Sequence, residues 1–287
     1  MTNLITGASG ALGQALVAAT RSRAALSSVA FGTRRPDDLD APDLEARRVD
    51  YDDPASMSDA FAGVDSLLLI STHADHSARK RQHRAAFEAA HAAGVRRILF
   101  TSLVGAHDPG DNDLLDVYAD GERALAELGV PHVVFRDGIY LGLIPVLLGE
   151  FEASGKVVLS AGDTPVAWVS REDVAQFALD VLLDPEVTGT FEVAGPNMAS
   201  MPEIVATLSA HTRNPIEYVH LPHKAFLEAL ASSGMPVASA EGFAEVTRAM
   251  FDGRFQGSGD AFVARMGRPA ESVSEYLART YRPEPND

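Results

Sequence analysis

Through the first half of the chain, short apolar runs alternate with longer segments whose apolar residues recur at helical spacing. The runs are Leu4-Ile5-Thr6, Ser28 to Thr33, Arg47 to Val49, Leu67 to Ser71, Arg97 to Thr101 and His132 to Arg136. Leu67-Leu68-Leu69-Ile70 and Ile98-Leu99-Phe100 lack the alternation of a half-solvated strand, which is the pattern of parallel strands covered on both faces. Between the runs, Ala11 to Arg23, Pro54 to Ala62, Ser77 to Ala93 and Leu114 to Leu128 are rich in Ala, Leu, Arg and Glu and read as helices. Gly94 and Gly129 stand where two of these helices need a left-handed cap. The rhythm predicts an α/β fold, a doubly wound parallel sheet that is buried throughout.

After Arg136 the pattern loosens. Gly138 to Phe151 is irregular, Lys156-Val157-Val158-Leu159 reads as a strand, and Ser160 to Pro165 is turn-rich. Phe191 to Ala194 reads as a strand returning to the sheet. From Pro202 onward the chain reads as mostly helical core, with one short strand near Ile216 to Val219. The tail Pro283 to Asp287 is expected to fray. The stretch from Ile139 to Leu148 is too short to span a bilayer and is broken by Gly142 and Pro145.

Thr6-Gly7-Ala8-Ser9-Gly10-Ala11-Leu12-Gly13 lies between the first strand and the first helix. There, spaced glycines let backbone N–H groups face a pyrophosphate at a helix N-terminus. One glycine turns the chain, one lets backbone approach phosphate, and Gly13 permits close packing. Such a loop assigns residues 1–136 to a Rossmann dinucleotide-binding domain, completed by 166–195, with 137–165 and 196–287 as a smaller, mostly helical substrate lobe.

The end of the second strand separates the two nicotinamide cofactors. An acid there suits the ribose hydroxyls of NAD, whereas arginine suits a 2′-phosphate. Arg34 and Arg35 occupy it, which favours NADPH over NADH. The alternative is that both are solvated partners of Asp37 and Asp38. Asp50 and Tyr51 suit an adenine, and equally suit a capping acid before Pro54. Ser71-Thr72-His73 and Thr101-Ser102 follow the fourth and fifth strands, along the carboxyl edge where open α/β sheets bind ligands.

Composition narrows the picture by exclusion. The chain has 40 acidic and 24 basic residues in 287, a formal charge of −16. That field disfavours nucleic acid and anionic membranes as partners. There is no cysteine, so disulfides and thiolate chemistry are out. No basic region followed by an apolar run opens the chain, which makes the cytoplasm the expected compartment. His73, His76 and His83 lack a defined metal-ligand spacing and read as a solvated face. No G-x-S-x-G elbow is present, which argues against an α/β-hydrolase.

The glycine loop, Arg34, and Asp50-Tyr51 before a Pro-x-Ser helix start together resemble the NmrA-like atypical short-chain dehydrogenases. Ala60 to Val64 before Leu68 to Ser71, Ala92 to Val95, Phe135-Arg136-x-x-x-Tyr140 and Ser170 to Ala175 continue the likeness over most of the chain. It points in particular to the bacterial quinone and triphenylmethane-dye reductases. The resemblance implies NADPH across the first lobe, with Arg136 among its contacts, and a small aromatic acceptor in the cleft beside the second lobe. It leaves a homodimer open. A second class within the family is a nucleotide-sensing regulator with a protein partner and no turnover.

Two departures stand out. The Tyr-x-x-x-Lys dyad of ordinary short-chain dehydrogenases is absent: Tyr118 is followed four residues later by Glu122, and the lysines are Lys80, Lys156 and Lys224. The relatives tend to carry asparagine after the arginine, where this chain has Asp137. A quinone-like acceptor fits a site without the dyad, because hydride transfer to it forms a delocalised anion. Tyr140, His73 and Tyr118 are the candidate catalytic residues. Tyr140 and Trp168 are candidates for acceptor contact, with packing between the lobes as the alternative.

Overall fold

The computed structural model describes residues 2–23, 26–39, 41–195, 198–212 and 215–281. The expectation about the tail at Pro283 to Asp287 lies outside them.

The strands of the first half are β1 (Asn3–Ile5), β2 (Val29–Thr33), β3 (Glu45–Arg48), β4 (Ser66–Leu69), β5 (Arg97–Leu103) and β6 (His132–Asp137). The helices between them are α1 (Ala11–Ser22), α2 (Pro54–Phe61), α3 (His76–Ala92) and α4 (Asp113–Glu127). The second half supplies β7 (Ile139–Tyr140), α5 (Ile144–Leu148), α6 (Phe151–Ser154), β8 (Lys156–Leu159), β9 (Val166–Val169), α7 (Arg171–Leu183) and β10 (Gly189–Val193). β11 (Met198–Ala199), α8 (Met201–His211), β12 (Glu217–His220), α9 (His223–Ser232), α10 (Val237–Phe251), α11 (Asp260–Met266) and α12 (Val273–Thr280) follow.

Among the described residues, seven strands form one sheet in the order β10-β6-β5-β4-β1-β2-β3, every pair parallel. The unbroken apolar runs are explained by what covers each face. Leu4, Leu67, Leu69, Ile98 and Phe100 point to one core under α2, α3 and α4, while Ile5, Leu68, Leu99 and Phe135 point to the other under α1 and α7. Each fully buried side chain of this kind is worth about 1.5–3 kcal/mol, so the strands that carry them on both faces take the centre of the sheet. The sheet is not buried throughout, however. β3 carries Glu45, Arg47 and Arg48 and is an exposed edge, because charged side chains keep further strands from adding there. Gly94 and Gly129 adopt φ of +80° and +70°, as their capping positions require.

The second lobe is not helical alone. β7, β9 and β11 form a three-stranded sheet and β8 pairs with β12. Its separate core joins Leu141, Ile144, Leu147, Leu148 and Trp168 to Ile204, Leu208, Phe226 and Met250 from α8, α9 and α10. α7 packs on α1, and β10 then adds to β6, so residues after 170 return to the first sheet while β9 does not. No helix among the described residues is long and apolar enough to cross a membrane.

Candidate functional site

The glycine loop turns from β1 into α1 at the carboxyl edge of the sheet. Gly7 has φ +70°, a conformation that side chains other than glycine rarely adopt. A Cβ on Gly13 would lie 2.2 Å from the Gly7 carbonyl oxygen and 2.7 Å from Ala8 Cα, so this glycine seats the helix on the loop itself. Gly10 is the N-cap of α1 and has no side-chain cap, and Ser9, Gly10 and Ala11 are exposed while Ala8, Leu12 and Gly13 are buried. The first turn of α1 therefore presents open N–H groups and a positive dipole end to solvent. Ser9 reaches β2 through a 3.3 Å bond from Thr33 Oγ1.

The two arginines at the end of β2 differ. Arg35 pairs with Asp38 at 2.8 Å. Arg34 is exposed, and among the described residues no ion pair or hydrogen bond engages it. A free guanidinium next to an uncapped helix start suits an anion bearing several phosphates. Asp53, rather than Asp50, caps α2 by accepting from the Ala55 and Ser56 N–H groups. The half-buried Asp50 instead accepts from the Asp52 N–H. Tyr51 spends its hydroxyl on Thr6 Oγ1 at 2.5 Å, with the Ile70 carbonyl 3.1 Å away, and burial pushes its pKa up. That hydroxyl is not available to an adenine, which leaves only the half-buried ring for contact.

Beyond β4, the Ser71 N–H donates to Thr101 Oγ1 at 2.9 Å, tying together the ends of β4 and β5. Thr101 and Ser102 lie within β5 rather than after it. Ser71 Oγ sits 3.1 Å from His83 Nε2 and accepts from Arg79 at 3.1 Å. Thr72 donates to Gln82. His83 corrects the solvated-face reading: it is 0% exposed, and burial together with Arg79 lowers its pKa to about 3. Arg79, His83 and Phe87 follow one another at four-residue spacing on α3, and that spacing was the available sign that the face is inward. His73 is exposed at the mouth, where partial desolvation, Arg79 and Arg171 hold its pKa below the ordinary value. His76 faces Glu245, and among the described residues no three acidic or histidine side chains converge as a metal site would require.

The position where a dyad lysine would stand is occupied by a different device. Glu122 receives both arms of Arg136, at 3.0 and 2.6 Å, and the Ser102 hydroxyl at 2.6 Å. This interior pairing commits the Ser102 and Arg136 side chains, which sequence reasoning assigned to the cofactor. Tyr118 instead lies under the Arg79 guanidinium, 4.7 Å from its ring centroid. Tyr140 donates to Asp137 Oδ2 at 2.6 Å, and Arg171 covers its ring at 4.5 Å. Asp137 is 2% exposed, and burial raises its pKa to about 8. Burial and the neighbouring Asp137 raise Tyr140 well above its usual value.

The structure thus gathers Ser71, His73, Arg79, Tyr118, Tyr140 and Arg171 at one end of the sheet. Trp168 is not among them. Its ring is 1% exposed in the core of the second lobe and its indole N–H donates to the Ala199 carbonyl at 2.8 Å, so it packs and does not face a ligand. A cleft of about 720 Å³ opens from Ala74, Asp75 and His76 to His223 and Glu245 of the second lobe. Arg79, Asp137, Glu122 and Arg171 were not singled out from the sequence as site residues, since each acquires its role from a partner on another element.

A family described as NAD(P)H-binding matches residues 7–185. Quinone oxidoreductase 2 of Escherichia coli is 29% identical over 285 residues, 96% of this chain and 98% of that protein. An NmrA-like family oxidoreductase of Aspergillus flavus is 27% identical over 243 residues, covering 80% and 77%. The E. coli NADPH-dependent quinone oxidoreductase, solved with NADPH, superposes with a TM-score of 0.89 at 28% identity, over 98% of this chain and 100% of that one. The triphenylmethane reductase of Citrobacter sp. shares the fold, with a TM-score of 0.88 at 24% identity and coverage of 97% and 99%.

Proposed function

The chain belongs to the NAD(P)H-binding family, and we propose that it is an NADPH-dependent reductase delivering hydride to a quinone-like or other conjugated aromatic acceptor. The observation that carries the choice of NADPH is Arg34, exposed and, among the described residues, unpaired, beside an uncapped α1 whose Gly7 and Gly13 leave the loop no room for side chains. The cradle fits a dinucleotide. Backbone N–H groups at Ser9 and Ala11 would hold the pyrophosphate, the Gly10 N–H being spent on the Gly7 carbonyl at 3.0 Å, and Arg34 would hold the 2′-phosphate. Bound there, the cofactor supplies the hydride.

The protein's own residues then bind and orient. The Ser71–Thr101 bond and Arg79 order the strand ends, and Tyr118 and Tyr140 bring aromatic surface and hydroxyls to the acceptor. Residues 1–136 with α7 to β10 form the cofactor-binding part in this reading, β9 going with the second lobe, and the remainder closes over the acceptor. The cytoplasm suits a reductase fed by NADPH. A sensor without turnover has less support, because Ile139, Leu141, Ile144, Leu147 and Leu148, the side chains that would fill an acceptor space, are spent on the second lobe's core.

NADPH consumption followed by absorbance, with a panel of quinones and a triphenylmethane dye, tests the reading against Gly10→Asp. Turnover in the wild type and its loss in the variant is the expected result. Binding of NADPH without oxidation by any acceptor refutes the reductase reading in favour of the sensor.

A further inference from the structure

A carboxyl group has been placed in the interior at the active end of the sheet with nothing to neutralise it. Asp137 ends β6, opposite Leu103 of β5 and Val193 of β10, and is 2% exposed. Its Oδ2 meets Tyr140 Oη at 2.6 Å, and among the described residues nothing bonds Oδ1. Among the described residues no cation pairs with the carboxyl. The charged and titratable groups around the pair are Tyr118 from α4, Arg171 from α7 and Tyr140 itself, with Arg79 of α3 and the loop residue His73 beyond them. Arg171 stacks on the tyrosine ring at 4.5 Å, in a space that Gly142 leaves free, since a Cβ there would fall 2.3 Å from its Nη1.

An ionised carboxylate in such a place is heavily penalised, whereas the neutral acid is not. If holding Tyr140 were the only task, an asparagine of the same shape would do it without any ionisation to suppress. A neutral acid does something that asparagine does not. It can transfer its proton to Tyr140 Oη as the phenolic hydrogen leaves, whereas an amide can only hold the hydrogen bond.

We propose that Asp137 and Tyr140 form a two-step proton donor for the acceptor, taking the place of the absent tyrosine–lysine dyad. The proposal rests on the reductase reading above. The acceptor takes two electrons and one hydrogen as hydride from NADPH and becomes an aryloxide anion. The Tyr140 Oη–H bond breaks as its proton forms the O–H bond of the product. The Asp137 carboxyl proton moves to Tyr140 Oη, and Asp137, left as a carboxylate, regains a proton from water once product leaves. Tyr140 is the catalytic residue, and Asp137 acts through it. Arg171 over the ring favours the transient phenolate and thereby eases the transfer.

Infrared difference spectra of the full-length protein without cofactor, wild type against Asp137→Asn, test the pair independently of turnover. A carbonyl band of a protonated carboxylic acid is expected in the wild type at neutral pH, fading as pH rises through about 8 and absent from the variant. With a quinone that the wild type reduces, Asp137→Asn should lower kcat by a factor on the order of 10 to 100, within the usual range for general acid catalysis, while the KM for NADPH stays within about twofold. The wild-type kcat should fall above about pH 8 and show a solvent deuterium effect, and both features should vanish in the variant. Tyr140→Phe should match Asp137→Asn, and the double variant should lose little more. An unaltered kcat, pH profile and isotope effect in Asp137→Asn, in an enzyme that still oxidises NADPH, overturns the proton donor and leaves the reductase reading standing. Absence of the protonated band at neutral pH also overturns it. No turnover with any acceptor overturns the reductase reading first, and the catalytic step with it.

Discussion

Replacing Asp137 by asparagine removes one ionisation from the interior while keeping a hydrogen-bond partner for Tyr140, and the effect on stability follows from two pKa values. In the unfolded chain the carboxyl titrates near its ordinary 3.8, whereas in the folded protein burial holds it at about 8. Below both values the two states carry the same proton. As pH rises from about 4 to 8 the unfolded chain releases its proton and the folded protein keeps it, so stability falls by about 1.4 kcal/mol per pH unit. Between pH 5 and pH 7 this group alone costs the wild type roughly 3 kcal/mol, and the cumulative cost at pH 7 is about 4 kcal/mol. Asparagine has no such window. Urea unfolding of both proteins at pH 5, 6 and 7 isolates the effect, because every other titrating group is common to the two and cancels in the difference. The advantage of Asp137→Asn should widen steadily over that range. A gap that stays constant from pH 5 to pH 7 would mean that the carboxyl is ionised in the folded state, and would refute the reasoning.

Arg34→Ala should raise the KM for NADPH by about 10-fold or more and leave that for NADH within a factor of about two, since a phosphate–guanidinium contact is worth about 1.5–3 kcal/mol. Arg35→Ala, which loses only its exposed pair with Asp38, should change either by less than about threefold; equal losses in the two variants would contradict the assignment. Gly13→Ala places a methyl 2.2 Å from a backbone oxygen and should destabilise by about 1–3 kcal/mol or more in thermal unfolding. Gly10→Ala, whose added Cβ would lie 3.3 Å from the Gly7 carbonyl oxygen, should cost less stability than Gly13→Ala yet bind NADPH more weakly in fluorescence titration. His83 titrates at about 3 when folded against 6.5 when unfolded, so its contribution is complete above about pH 6.5 and is lost as pH falls towards 3. His83→Gln should therefore lose about 2 kcal/mol less stability than the wild type between pH 7 and pH 5, measured by urea unfolding.

What the sequence determined by itself is the part of the protein governed by local rules. Apolar runs without alternation identify strands sandwiched between two cores, and the observed β1, β2, β4, β5 and β6 follow them to within a residue or two. Three spaced glycines between a strand and a helix mark a phosphate loop, because only a side-chain-free backbone turns at φ +70° and packs a helix start onto a carbonyl. Both are properties of neighbouring residues. The working end of the site was decided by tertiary structure, because there each side chain takes its meaning from a partner on another element. Arg34 and Arg35 are indistinguishable until the chain bends Asp38 back onto only one of them. Glu122 looks like a vacant lysine position until β6 carries Arg136 to it from 14 residues away. Trp168, aromatic and close to a loop, vanishes into the second core, and His83, set among arginines, turns inward beneath Ser71. Asp137 is an ordinary acid in the sequence. Only burial between β5 and β10, with Tyr140 as the one hydrogen-bond partner of its carboxyl among the described residues, makes it a group that holds its proton at neutral pH.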